Sequence, residues 1–302
     1  MAAQAASGAA RVCAGLLAAL KPGGVHGEVL AAFDHAVNLS TELGLVSVLT
    51  QERALLPCSI QLPKRQAITG EAPFPLADWE RGSPIRLDAL GLYAGGGGRL
   101  VSLAGASPVD LSIYNRLTAG GNPLPMPGAE PVIDWLLRHG DAAGLAPLVT
   151  NGTDNPYTAL IRPRLPALLA AVREKDAARA AEAAAQMAGC GPGLTPSSDD
   201  LLAGYMAALH ALAACGHMAA VLPMTARMAQ RAANKTNRIS GAFLLHSGNG
   251  QASEDVLALL EALFLGTDGL NEAIARVGAY GSTSGADILT GIALAIFSYR
   301  RE

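Results

Sequence analysis

Between residues 25 and 116 short apolar runs alternate with glycine and proline breaks, the rhythm of strands and turns. Leu45-Val46-Ser47-Val48-Leu49, Ser59-Ile60-Gln61-Leu62, Ile85-Arg86-Leu87 and Leu100-Val101-Ser102-Leu103 are the strands it predicts. Gly95-Gly96-Gly97-Gly98 falls between two runs and reads as a hairpin tip. Ahead of the first predicted strand, His26, His35 and Asn38 are placed on a helix. Nine residues between the histidines is a poor spacing for a shared metal, so packing or surface roles are the default. Beyond residue 133 the spacing becomes helical, with helices predicted over 133–137, 165–187, 199–215, 218–233, 253–265, 269–277 and 286–299. The intervening stretch, residues 118–131, carries four prolines and several glycines and reads as a boundary. The predicted fold is α+β: a β-rich N-terminal part (1–125) followed by a mainly α-helical C-terminal part (126–302).

The length, 302 residues of which 50% are hydrophobic, allows one large domain or two ordinary ones with ample core. A net charge of −3 and no stripe of Lys or Arg with interleaved aromatics remove the footprint of a nucleic-acid binder. Aromatics are only 4% while Ala and Gly abound, which predicts tight helix packing on small residues. Cys13, Cys58, Cys190 and Cys215 form no CxxC pair, so neither a zinc site nor a disulfide framework is indicated and a reducing cytoplasm is expected. Residues 1–20 lack the basic start and continuous apolar core of a signal peptide and are read as mature protein. The apolar run 201–222 approaches the length of a membrane span, but His210, Gly216 and His217 interrupt it and Pro223 follows. A buried helix and a turn are expected there, and no membrane.

The densest chemistry lies in Gly189-Cys190-Gly191-Pro192-Gly193-Leu194-Thr195-Pro196-Ser197-Ser198-Asp199-Asp200. Three glycines permit positive φ and close approach of a ligand, and two prolines stiffen the same loop. A helix follows, with Ser197 or Ser198 as its cap and Asp199 and Asp200 in its first turn. Free N–H groups at such an end, pointing back into the loop, attract phosphate or carboxylate. The aspartates either complement the helix dipole or hold a divalent cation such as Mg²⁺ that itself binds the anion. The pattern is not the phosphate loop, since no Lys follows, nor the dinucleotide fingerprint, since no βαβ unit surrounds it. Cys190 is a small loop cysteine with no histidine beside it, not a nucleophile to rely on.

Ser282-Thr283-Ser284-Gly285-Ala286-Asp287-Ile288-Leu289-Thr290-Gly291 aligns with residues 195–204, matching the Ser, the second Asp, the aliphatic pair and the final Gly. Two capping-box variants arising by chance and a paired site both account for this; if they are paired, Asp200 and Asp287 face one cavity. Asn234-Lys235-Thr236-Asn237-Arg238-Ile239-Ser240 reads either as a helix-to-helix loop or as the source of positive charge for the anion, through Lys235 or Arg238. His246 and Ser247 come one short helix later. Arg173, Glu174, Lys175, Asp176, Arg179 and Glu182 read as the solvated face of the helix feeding the glycine loop.

Residues 189–204 (GCGPGLTPSSDDLLAG), 235–250 (KTNRISGAFLLHSGNG) and 278–291 (GAYGSTSGADILTG) resemble, in order and spacing, the blocks of the AllH family. Ala36-Val37-Asn38-Leu39 and Leu55-Leu56-Pro57-Cys58-Ser59-Ile60-Gln61-Leu62 are similar to its weaker N-terminal blocks, so the resemblance spans most of the chain. Ser198 departs from it, standing where the family has Gly. The resemblance implies a subunit of the bacterial oxamate carbamoyltransferase of purine and allantoin breakdown, working with FdrA-like and AllG-like subunits. That reaction exchanges oxalurate and phosphate with oxamate and carbamoyl phosphate. It carries over Gly191, Gly193, Thr195, Ser197, Asp199 and Asp200 from the first block, Thr236 and Ser240 from the second, and Ser284, Gly285 and Asp287 from the third. The expected site adds Ser198, Asn237, Ser282 and Thr283, with Asp199, Asp200, Asp287 and Lys235 closest to the chemistry. A metal-dependent hydrolase or transferase on phosphate compounds and a non-catalytic assembly subunit remain as alternatives.

Overall fold

In the computed structural model, residues 9–63, 79–117, 124–140, 142–218 and 221–300 are described. Of the proline-rich boundary stretch, residues 118–123 lie outside these. The chain divides into two compact units, Met1–Leu111 and Ser112–Glu302.

The first unit is a nine-stranded sheet in the order β8-β7-β6-β2-β3-β4-β5-β1-β9. Its strands are β1 (Arg11–Cys13), β2 (Val25–Phe33), β3 (Ala36–Thr41), β4 (Gly44–Leu49), β5 (Ser59–Gln61), β6 (Pro84–Asp88), β7 (Gly91–Ala94), β8 (Arg99–Ser102) and β9 (Ser107–Val109), with α1 (Ala14–Ala19) after the first. Neighbours run antiparallel except the pairs β1–β9 and β4–β5. All four strands expected from the apolar runs are present. Gly95–Gly98 is the hairpin tip between β7 and β8, closed by the Ala94 N–H on the Gly98 carbonyl at 2.8 Å.

One expectation is overturned here. His26 and Asn38 lie on β2 and β3, and His35 in the tight turn between them, not on a helix. The alanines of this stretch weaken the strand signal, but β2 pairs on both sides, with β3 and β6, and that pairing overrides local preference. Strands β3, β4 and β5 are largely buried on both faces. Val37 and Leu39, both fully buried, pack on one, while Asn38 points to the other and accepts a hydrogen bond from the Ser47 hydroxyl at 2.8 Å.

The second unit is helical: α2 (Ile113–Leu117), α3 (Glu130–His139), α4 (Pro147–Thr150), α5 (Pro156–Ile161), α6 (Leu165–Arg173), α7 (Ala177–Met187), α8 (Ser197–Ala214), α9 (Val221–Ala233), α10 (Arg238–Gly248), α11 (Glu254–Leu265), α12 (Leu270–Gly278) and α13 (Ser284–Arg300). The helix expected over 165–187 is two. Lys175 turns the chain with φ +57°, and the Asp176 carboxylate caps α7 by accepting the N–H groups of Ala178 and Arg179. No glycine or proline marks that break; an aspartate does. Glu174 and Arg179 pair across it, and Glu182 reaches Arg231 on α9 at 2.7 Å.

Helices α8 and α13 form the spine of this unit. α8 is buried on nearly every side and ends at a turn through Cys215 and Gly216. Among the described residues no helix is long and apolar enough to cross a membrane. The two helices run in the same direction, since Thr195 meets Ser284 at their starts and the Tyr299 hydroxyl donates to the His217 carbonyl at their ends. They touch through glycine. A Cβ on Gly204 would lie 2.1 Å from the Ile288 carbonyl oxygen, and one on Gly291 would lie 2.0 Å from that of Leu201. In the alignment of the two Ser-x-x-Asp elements, Gly204 corresponds to Gly291 and Leu201 to Ile288, so the contact is reciprocal.

Backbone cannot yield as a flexible side chain does, so Gly204→Ala or Gly291→Ala is expected to destabilise the fold by upward of about 3 kcal/mol in urea unfolding. Gly98→Ala, with nothing within 4 Å of its added Cβ, should change stability by no more than about 0.5 kcal/mol.

Candidate functional site

The loop leaving α7 turns at Gly189 (φ +78°), Gly191 (φ +136°) and Gly193 (φ +85°). Two of the three are also held by close contacts. A Cβ on Gly189 would meet the Lys235 carbonyl oxygen at 2.7 Å, and one on Gly191 the Ser197 nitrogen at 2.3 Å. Pro196 takes the cap position of α8, so Ser197 and Ser198 fall inside the helix rather than capping it. Ser198 instead serves the loop, accepting the Cys190 N–H at 2.8 Å on its hydroxyl and giving its own N–H to the Cys190 carbonyl at 2.9 Å. Asp199 and Asp200 both donate their N–H to the Pro196 carbonyl. Three first-turn donors expected to await an anion are thus bonded within the chain.

Asp199 and Asp200 are adjacent, and adjacent helical residues point about 100° apart. They gather different partners. Asp199 is 2% exposed and accepts three bonds: the Gly189 N–H at 2.7 Å, the Ser240 hydroxyl at 2.7 Å and the Thr236 hydroxyl. Asn237 completes this side, capping α10 with its carbonyl oxygen and reaching the Leu194 carbonyl with its amide at 2.8 Å. Lys235 and Arg238 belong to the same segment, and their side chains are exposed. The second sequence block therefore converges on Asp199.

The third block converges on Asp200. Thr195 and Ser284 hydroxyls lie 3.1 Å apart and those of Ser197 and Thr283 3.5 Å apart, joining the two Ser-x-x-Asp elements. Asp200 is 8% exposed, takes hydrogen bonds from Ser284 and Thr195, and leaves Oδ2 without a partner. Beside it the fully buried Asp287 accepts the Leu145 N–H on Oδ1 at 2.6 Å. Gly144 lies so close that a Cβ there would be 2.7 Å from that oxygen. Burial pushes the Asp200 carboxyl well above the usual carboxylate range; the Ser284 and Thr195 hydroxyls oppose the rise and the Asp287 charge adds to it. Ser282 is exposed on the turn ahead of α13, and Gly285 is a packing residue whose Cβ would strike the Val277 carbonyl oxygen at 2.1 Å.

The segment carrying Gly144 and Leu145 was not singled out from sequence. Asn155 fixes it: its amide donates to the carbonyls of Ala142 and Gly144 at 2.6 and 2.7 Å, while its carbonyl oxygen caps α5. Asn155-Pro156 with Thr158 is a legible helix start, but its link back to Gly144 is tertiary. Tyr280 is a second such residue. Its hydroxyl donates to Asp255 at 3.0 Å and its carbonyl accepts the Gly285 N–H at 2.9 Å, which fixes the turn before Ser284. Burial raises the Cys190 thiol, Arg164 opposing and Asp199 reinforcing, so no activated thiolate results. Among the described residues no group of three or more His, Cys, Asp or Glu could hold a metal ion.

Residues 187–296 match the family described as oxamate carbamoyltransferase subunit AllH, and residues 4–108 match the AllH family N-terminal domain. The chain belongs to the AllH family. Neither the curated proteins nor the solved structures contain a match. The AllH match spans both clusters on α8 and both glycine contacts with α13, whereas Gly144, Leu145 and Asn155 fall between the two matched segments.

Because folding tightens the hold of Asp200 on its proton, the folded chain binds more protons than the unfolded one above the ordinary value of 3.8, and stability falls as pH rises through the range between the two pKa values. Asp200→Asn is neutral throughout and should flatten that fall above the ordinary carboxylate range; an unchanged slope would mean that Asp200 titrates normally. Asp199→Ala, which strands three donors, is expected to lose on the order of 3 kcal/mol or more in the same unfolding assay.

Proposed function

We propose that this AllH-family chain acts as a subunit of an oxamate carbamoyltransferase, with the Thr195, Ser197, Asp200, Thr283, Ser284 and Asp287 cluster holding the carbamoyl group. The observation that carries the reading is the buried Asp200 carboxyl, with one oxygen unpartnered, facing hydroxyls from both helix starts. A carbamoyl group presents N–H donors and a carbonyl acceptor at once, and a mixture of carboxylate and hydroxyl groups complements both. In the reaction a phosphate oxygen attacks the carbamoyl carbon of oxalurate and the bond to the oxamate nitrogen breaks. That nitrogen takes up the proton that phosphate releases. Asp200, whose pKa is raised, is suited to pass that proton on, while the hydroxyls donate to the carbonyl oxygen as negative charge develops there. Lys235 and Arg238 are the exposed cations of the adjoining segment and would meet the anionic ends of the ligands. FdrA-like and AllG-like subunits would complete the enzyme, in a cytoplasmic assembly serving purine and allantoin breakdown.

Thermal unfolding with phosphate, oxamate, oxalurate or carbamoyl phosphate tests this, on the chain alone and with its partner subunits. A ligand at a hundredfold its dissociation constant should add about 2.7 kcal/mol. Asp200→Asn and Ser284→Ala should abolish the shift and lower turnover of the assembled enzyme. If none of the four ligands moves the wild type in either form, the cluster is not the ligand site.

A further inference from the structure

Far along α13 from the acidic cluster, two adjoining cavities of the second unit share Arg173 and Ser298 in their walls. The larger, about 400 Å³, is bounded by Ile133 of α3, Leu148 of α4, Leu169 of α6, and Leu294 and Phe297 of α13. The smaller, about 90 Å³, reaches Leu209, His217 and Tyr299. Neither contains a residue of the acidic cluster; Phe297 is ten residues, about 15 Å of helix, beyond Asp287. A mostly apolar cavity of this size with a few polar groups in its wall, here Asn151, Arg173 and Ser298, has the anatomy of a small-molecule site.

The charged part of the lining is cationic and incompletely bonded. No carboxylate among the described residues lines either cavity, and Arg173 and Lys175 are the charges present. Arg173 makes no ion pair among the described residues. His217, on the wall of the smaller cavity, buries Nε2 without a partner. Buried polar atoms are seldom left unbonded, and this one belongs to a residue of the same wall as Arg173 and Lys175.

We propose that these cavities bind a small amphipathic monocarboxylate, its apolar body between α6 and α13 and its carboxylate on Arg173. The guanidinium supplies a two-point donor for a carboxylate, Lys175 adds charge, and the walls formed by Leu148, Leu169, Leu294 and Phe297 take an aliphatic or aromatic body but not a second charge. The site is separate from the proposed carbamoyl site and does not depend on it.

Calorimetric titration of the full chain with octanoate, beside 1-octanol as its uncharged counterpart, tests the proposal. Octanoate should bind saturably, and Arg173→Gln, a change at an exposed residue, should weaken it about tenfold or more. Val149→Trp, which fills the larger cavity from the half-buried α4 wall, should abolish binding while the melting temperature without ligand shows that the variant folds. Asp200→Asn should leave octanoate binding unchanged. No saturable binding to the wild type, equal binding of 1-octanol, or binding that survives both Arg173→Gln and Val149→Trp would each overturn the proposal. So would loss of octanoate binding on assembly with partner subunits, the behaviour of a protein-docking face.

Discussion

The second unit depends on two helix backbones touching without side chains between them. Gly204 against Ile288 and Gly291 against Leu201 set α8 and α13 closer than any other residue would permit. At that separation the loops ahead of the two helices are brought to one place, with Thr195 beside Ser284 and Ser197 beside Thr283. Asp200 and Asp287, in the first turns, then share a dry environment that neither would choose alone. Wider spacing would admit water between them and dissolve the electrostatic effect.

Two neighbouring carboxylates on one helix end up with opposite energetics. Asp199 accepts three donors, one from the glycine loop and two from the segment that opens α10, so it ties the glycine loop, α8 and the α9–α10 connection together. Asp200 faces hydroxyls, a second carboxylate and one unmet bond, and burial favours its protonated form. The first stabilises the architecture, and the second costs stability because burial holds a proton on its carboxyl. A hundred degrees of helical rotation separates the two roles. Strain and unmet bonds of this kind concentrate where a protein acts, because elsewhere selection has no reason to retain them.

Much of this was legible from the chain. The change from short interrupted apolar runs to helical spacing implied a sheet followed by helices, and four strands lie where their short apolar runs placed them. The glycine loop, the start of α8 and the duplicated Ser-x-x-Asp element are local chemistry, written in consecutive residues. Local chemistry also misled. The alanine-rich residues around His26 look helical until β3 and β6 pair with β2 on either side, and residues 165–187 look continuous because Asp176 breaks the helix without glycine or proline.

The sequence by itself determined which residues could turn, cap and carry charge, because those properties reside in single side chains and their near neighbours. Only the tertiary structure decided who meets whom. That Thr236 and Ser240 serve Asp199 while Ser284 serves Asp200, that Leu145 bonds Asp287 across 142 residues, and that Gly204 and Gly291 exist for each other's helix are facts about separation in space. Spacing along a chain does not encode them, since each depends on how two distant segments pack, and packing is fixed by the whole core at once.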